Sequence, residues 1–179
     1  VRTYVPPKDV WGVLAAPPCT DLSMSGARWW ASKGESALLE ALSITDACLR
    51  IIQRVRPVWW ALENPTGRLA RYLGKPVWKF QPYEFGDPWQ KLTCLWGEHR
   101  IPAKHPIPWP PNGETGMERW TLGPFILSPK PSANQLATLE ERGMLWPGWR
   151  DDLGAAPDRA TLRSITPPGF ARAFFEANP

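Results

Sequence analysis

The chain is poor in the residues that build metal centres and disulfide frameworks. It carries 3 cysteines and 2 histidines in 179 residues. Cys19, Cys48 and Cys94 are odd in number and lack C-x-x-C spacing. That argues against a disulfide scaffold and a zinc site, and for a reducing compartment. His99 and His105 are too few for most metal sites. No apolar run approaches the roughly 20 residues that a membrane span needs, and the apolar stretch near the start is far shorter. No secretory leader or basic transit segment stands out. No repeat period and no low-complexity tract is present, which excludes a linker or a solenoid.

Other features are present in excess. The chain has 22 Pro, where average usage gives roughly 9, and 12 Trp. Hydrophobic residues make 43% and charged residues 21%, so one domain, or one domain with a small appendage, can bury a core. The net charge of +4 leans towards a polyanionic partner without requiring one. The first residue is Val1, which suggests either cleavage or a piece of a longer protein.

The run Asp9–Ala16 is continuously apolar and stops at Pro17-Pro18, which suits a strand buried on both faces of a parallel sheet. A polar loop is expected from Cys19 to about Gly34. A helix should follow from Glu35 or Ser36 to Arg56, with Leu38, Leu42, Leu49 and Ile52 at helical spacing and Ser32 with Glu35 as a capping box. Pro57 closes it. Val58–Leu62 reads as a second strand ending in Glu63-Asn64-Pro65, giving one strand–helix–strand crossover. A short basic helix over Gly67–Leu73 leads to strands at Val77–Phe85 and Lys91–Trp96, the former pushed to an edge by Pro82. From Glu98 to about Trp149 the chain reads as an irregular insert with a short helix near Ala133–Arg142. Thr166 and Pro167 then open a helix through Phe170, Phe174 and Phe175. The division expected is a catalytic α/β portion over 1–97, an insert over 98–157, and a C-terminal helix over 158–179 returning to the first portion.

The tripeptides Pro17-Pro18-Cys19 and Glu63-Asn64-Pro65 close the two best strands, where ligands of open α/β sheets bind. A cysteine there can be a nucleophile once its thiolate is formed. Glu63 is a natural proton donor or hydrogen-bond partner for a ring nitrogen. A cysteine protease would want a histidine base, and neither histidine lies at a strand end. Taken alone, Cys19 would read as a structural thiol. Cys48 and Cys94 read as core thiols.

The string Pro17-Pro18-Cys19-Thr20-Asp21-Leu22-Ser23-Met24-Ser25-Gly26 resembles the Pro-Cys motif and catalytic loop of the cytosine-C5 DNA methyltransferases. Glu63-Asn64-Pro65 is similar to that family's Glu-Asn-Val motif, with Pro in place of Val. Phe85–Gly97 and Ile165–Ala171 resemble a phage and prophage branch. The resemblance covers most of residues 1–97 and about 160–179.

It implies a Rossmann-like methyltransferase sheet, incomplete at its amino-terminal side, with an irregular Pro/Trp-rich region after it. It also implies double-stranded DNA as partner and a flipped cytosine as substrate. Cys19 would attack C6, Glu63 would hydrogen-bond N3, and C5 would take a methyl group from S-adenosylmethionine. Pro18, Asn64 and Pro65 would shape the pocket, and Ser23, Ser25 and Arg28 would contact phosphates from a closing loop. The bland reading of these serines is loop solvation. Strand alternation puts Lys91 and Thr93 on one face, with Lys91 facing the pocket and Thr93 standing where the family has a basic residue.

Trp109, Trp120, Trp146 and Trp149 lie where the family places target recognition; most of them are better read as packing. Arg100, Lys104, Arg119, Lys130 and Arg142 could each contact phosphate or serve as solvated surface charge. The family's glycine turn for the donor is not found, which leaves Pro18, Ile44 and the final helix as donor contacts and makes the chain alone inactive or very weak. It is then the catalytic portion of a longer enzyme, a natural half pairing with a separate or missing donor-binding segment, or a non-enzymatic nucleic-acid-binding relic. An RNA substrate, or another group transferred to C5, fits the same cysteine chemistry. The expected setting is the cytoplasm of a bacterial or phage-infected cell, with no membrane association.

Overall fold

The computed structural model describes residues 1–87, 91–105 and 166–179. It is a mixed α/β structure built on a four-stranded mixed sheet in the order β1-β2-β4-β3. The strands are β1 (Gly12–Ala15), β2 (Trp59–Pro65), β3 (Trp78–Phe80) and β4 (Thr93–Glu98). The helices are α1 (Trp30–Val55), α2 (Ala70–Leu73) and α3 (Pro168–Ala177). Among the described residues no helix is long and apolar enough to cross a membrane. The chain divides into two compact units. The first holds residues 1–80, 92–101 and 178, and the second 81–91, 102–177 and 179.

In the first unit, β1 and β2 are parallel with Ala15 beside Leu62, the crossover through α1 that the sequence suggests. β4 runs antiparallel to both β2 and β3, pairing Glu63 with Leu95 and Phe80 with Thr93. Two expectations change here. β1 is half-buried along its length and not buried on both faces, because it is the end strand of the sheet, with Trp11 just before it exposed. β3 stops at Phe80 and a 3-10 turn follows at Pro82–Phe85. The proline ends the strand as well as placing it at an edge.

The apolar stripe of α1 supplies Ala41 and Cys48 to a buried cluster with Leu22, Leu62, Leu69, Cys94 and Trp96. Leu38, Leu42 and Leu49 pack on its margin, so the helical spacing read from the sequence marks the buried face. Burial pushes the Cys48 thiol up from its usual range, the positive amino terminus opposing weakly. Gly34 breaks α1 with φ 73° and ψ −174°. The continuous helix therefore starts where it is expected, near residue 35. The expected capping box is replaced: the Ser32 hydroxyl donates to the Trp29 carbonyl at 3.0 Å. Arg56, in the left-handed region, closes the helix before Pro57. Asn178 exchanges two hydrogen bonds with the backbone of Arg100, just past β4, at 2.7 and 3.1 Å.

In the second unit, Asp87 is fully buried. Its carboxylate accepts from the Gly169 and Phe170 amides at 3.2 and 3.3 Å, satisfying free donors at the start of α3. Phe170 and Phe174 are buried, with Phe85 edge-on to Phe170 at 5.6 Å. Phe175 is exposed, since it falls one residue off the stripe of Phe170 and Phe174. Residues 106–165, which hold most of the expected insert over 98–157 with its helix and tryptophans, lie outside the described residues, as do 88–90.

Candidate functional site

Because β1 and β2 are parallel, Pro17-Pro18-Cys19 and Glu63-Asn64-Pro65 emerge at the same edge of the sheet. A side chain joins them: Asn64 Nδ2 donates to the Pro17 carbonyl at 3.0 Å, in a fully buried position. The first tripeptide lies just past β1, and the second forms the last three residues of β2. Strand alternation sorts the residues by face. Leu62 and Asn64 lie on the α1 side with their partners Trp96 and Cys94. Glu63 lies on the other side with its partner Leu95, alongside Thr93 and Phe80.

Glu63 is 4% exposed, a carboxyl group held on an apolar sheet face. Cys19 is half-buried. Its carbonyl accepts from the amides of Leu22 and Ser23 at 3.0 and 2.9 Å, which turns the chain sharply and drops Leu22 into the core. The thiol therefore sits on a fixed turn with partial access to solvent. That combination suits a nucleophile better than a core cysteine.

The turn is zipped to the segment after β2. Met24 donates to the Thr66 carbonyl and Arg68 to the Leu22 carbonyl, each at 2.8 Å. Ser23 and Gly67 form an isolated bridge. Only glycine fits at position 67, since a Cβ there would lie 1.9 Å from the Leu22 carbonyl oxygen. The expected polar loop is thus an ordered turn followed by a 3-10 helix over Met24–Trp29.

The structure separates the remaining predicted site residues. Ser23 is buried and its hydroxyl is 2.9 Å from that of Ser25, which is exposed. Arg28 is exposed, with its guanidinium 5.0 Å from the Trp29 ring centroid. Pro65 pairs with Thr93, which is fully buried, so Thr93 shares the Glu63 face as expected. Lys91 precedes β4, belongs to the second unit, and donates its amide to Gln81 Oε1 at 3.1 Å. Alternation through the strand therefore does not place it. Pro18 is exposed and Ile44 half-buried on α1. The turn after β1 is Pro17-Pro18, and Gly67 after β2 is filled by Leu22. The described residues do not by themselves fit a nucleoside cofactor such as S-adenosylmethionine.

Sequence reasoning missed Arg68 and Trp30. Arg68 Nε donates to the Asp21 carbonyl at 2.7 Å, and the guanidinium lies 4.5 Å from the Trp30 ring centroid. The available signal was a basic residue three places after Pro65; Trp30 was hidden among many tryptophans. Among the described residues no cluster of His, Cys, Asp and Glu could hold a metal ion. No known protein family matches the chain, and no curated protein matches it.

Proposed function

We propose that the chain is a DNA (cytosine-5)-methyltransferase, or the catalytic portion of one, with Cys19 as nucleophile and Glu63 as its partner at the ring. The observation that carries this reading is the Asn64–Pro17 hydrogen bond. It fixes the turn bearing a half-buried thiol against the strand bearing a buried carboxyl group. The family resemblance of these two tripeptides supports it, as does the parallel β1–α1–β2 unit, which suits a Rossmann-like methyltransferase sheet.

The target cytosine is rotated out of the duplex into the space beside these strand ends. The Cys19 thiolate adds to C6, and the C5–C6 electron pair moves towards C5 and N3. Glu63 hydrogen-bonds N3 and offsets the charge developing there. C5 then takes a proton from water; S-adenosylmethionine, where a site for it is supplied, would provide a methyl group as the electrophile instead. Loss of the original C5 proton and expulsion of Cys19 restore the ring. Pro18 and Pro65 border the pocket, Asn64 positions the turn, and Ser25 and Arg28 are the exposed phosphate contacts. A methyl donor would need contacts from outside the described residues.

The proton route gives a test independent of the donor. The chain is incubated with a random-sequence duplex pool carrying tritium at C5 of cytosine. Tritium should appear in water at a rate above background, and Cys19→Ser should abolish it. Duplex binding with no exchange above background would instead support the nucleic-acid-binding relic.

A further inference from the structure

We propose that Arg68 and Trp30 form a phosphate-binding pair beside the Cys19 turn, taking an oxygen of the backbone of the strand that carries the target base. The proposal rests on the function given above for its source of phosphate, and on the donor groups themselves for its chemistry. Arg68 Nη2 and Trp30 Nε1 are both buried and without a hydrogen-bond partner, and the guanidinium lies over the Trp30 ring, 4.5 Å from its centroid. Both atoms are donors only. Two buried donors without acceptors, on side chains in contact, call for an acceptor, and the fixed charge of the guanidinium selects an anion.

The acceptors nearest in sequence are already engaged. The Asp21 carbonyl takes Arg68 Nε, and the Asp21 carboxylate is paired with Lys33 at 2.5 Å. Arg68 is held through its own amide to Leu22, so the guanidinium is fixed relative to the Cys19 turn. A guanidinium N–H and the indole N–H of the ring it covers supply two donors, which two oxygens of a tetrahedral phosphate can accept. This is a further substrate contact, buried where Ser25 and Arg28 are exposed.

Entry requires the donors to be uncovered, and the backbone provides for it. Trp30 lies between the 3-10 helix and the break at Gly34. Gly34 has φ 73° and open space around the position of a Cβ. The break at Gly34 separates the turn carrying Trp30 from the rest of α1, so uncovering the donors does not require that helix to unwind.

The test uses the whole 179-residue chain. The indole N–H resonance of Trp30, assigned by its loss in Trp30→Phe, is followed during titration with inorganic phosphate. A saturable shift that is at least ~10-fold weaker in Arg68→Gln is expected. In parallel, affinity for a random-sequence duplex is measured against salt. The slope of log affinity on log salt should fall by about 1 in Arg68→Gln and be kept in Arg68→Lys. A shift with phosphate but no duplex binding would support the anion pair with a free phosphate as its source, and would sink the nucleic-acid function. Duplex binding that depends on Arg68, with no exchange at C5, would support the pair and sink the catalytic reading. A stationary indole resonance and an unchanged slope in a folded Arg68→Gln would overturn the pair.

Discussion

Replacing Asn64 by alanine removes the side chain that joins the two strand ends. Asn64 is fully buried, and its Nδ2 donates to the carbonyl of Pro17, itself a buried residue. The substitution leaves that carbonyl without a donor, at a cost of about 1–3 kcal/mol. Asn64 Oδ1 has no partner in the native state, so its removal relieves part of that cost, and the expected net loss is about 1–2 kcal/mol. Asn64→Asp keeps the shape but turns a donor towards an acceptor and buries a charge. About 3 kcal/mol or more should be lost. Urea unfolding of the three proteins gives these differences directly, with the midpoint falling and the slope unchanged. Exchange at C5 should fall further in Asn64→Ala than the loss of folded protein accounts for, because the Cys19 turn is no longer held. An Asn64→Ala variant within about 0.5 kcal/mol of the native chain, with full exchange activity, would refute the claim that this bond positions the thiol.

Three further outcomes follow from particular groups. Asp87→Ala removes the carboxylate that accepts from Gly169 and Phe170 and should destabilise the fold by about 1–2 kcal/mol, read by denaturant titration; no loss would show that α3 does not need this cap. His99 is held below its ordinary value of 6.5 by burial, with its backbone hydrogen bond to Trp60 acting in the opposite sense. The unfolded chain therefore binds the proton more readily, so stability should fall as pH drops below about 6.5, and His99→Gln should flatten that part of the profile. Under native conditions iodoacetamide should label Cys19 before Cys48 and Cys94, since only Cys19 is not buried and burial keeps the Cys48 thiol protonated; equal labelling rates would contradict the turn geometry.

What was legible in the sequence was local. The stripe Leu38, Leu42, Leu49 and Ile52 gave α1 its face, because helical period is carried by the residues themselves. Pro17-Pro18 and Pro57 marked real boundaries, since proline's missing donor acts on its own neighbours. The two tripeptides were found, and the parallel pairing that brings them to one edge follows from a single helix between two strands. Strand order was not legible. β1 looked like an inner strand because its residues are apolar, but its place at the end of the sheet depends on pairing partners far along the chain. Extending the alternation two residues before β4 puts Lys91 on its face, but the strand begins at Thr93 and the Lys91 amide goes to Gln81. Asp87 lay inside a string already singled out, yet its partners are more than eighty residues away. Arg68 and Trp30 are thirty-eight positions apart, and no periodicity links them.

The central claim is that Cys19 is the nucleophile and acts on C6 of a pyrimidine. A random-sequence duplex pool in which 2-pyrimidinone replaces cytosine tests it most directly, since a ring without the 4-amino group accepts a thiolate at C6 and holds it. After incubation, nuclease and protease digestion and mass spectrometry, the peptide containing Cys19 should carry the mass of the modified nucleotide. Cys19→Ser should carry none, and Glu63→Gln should form the adduct more slowly. An adduct on Cys48 or Cys94, an adduct undiminished in Cys19→Ser, or none at all in a folded chain that binds the duplex, would contradict the account.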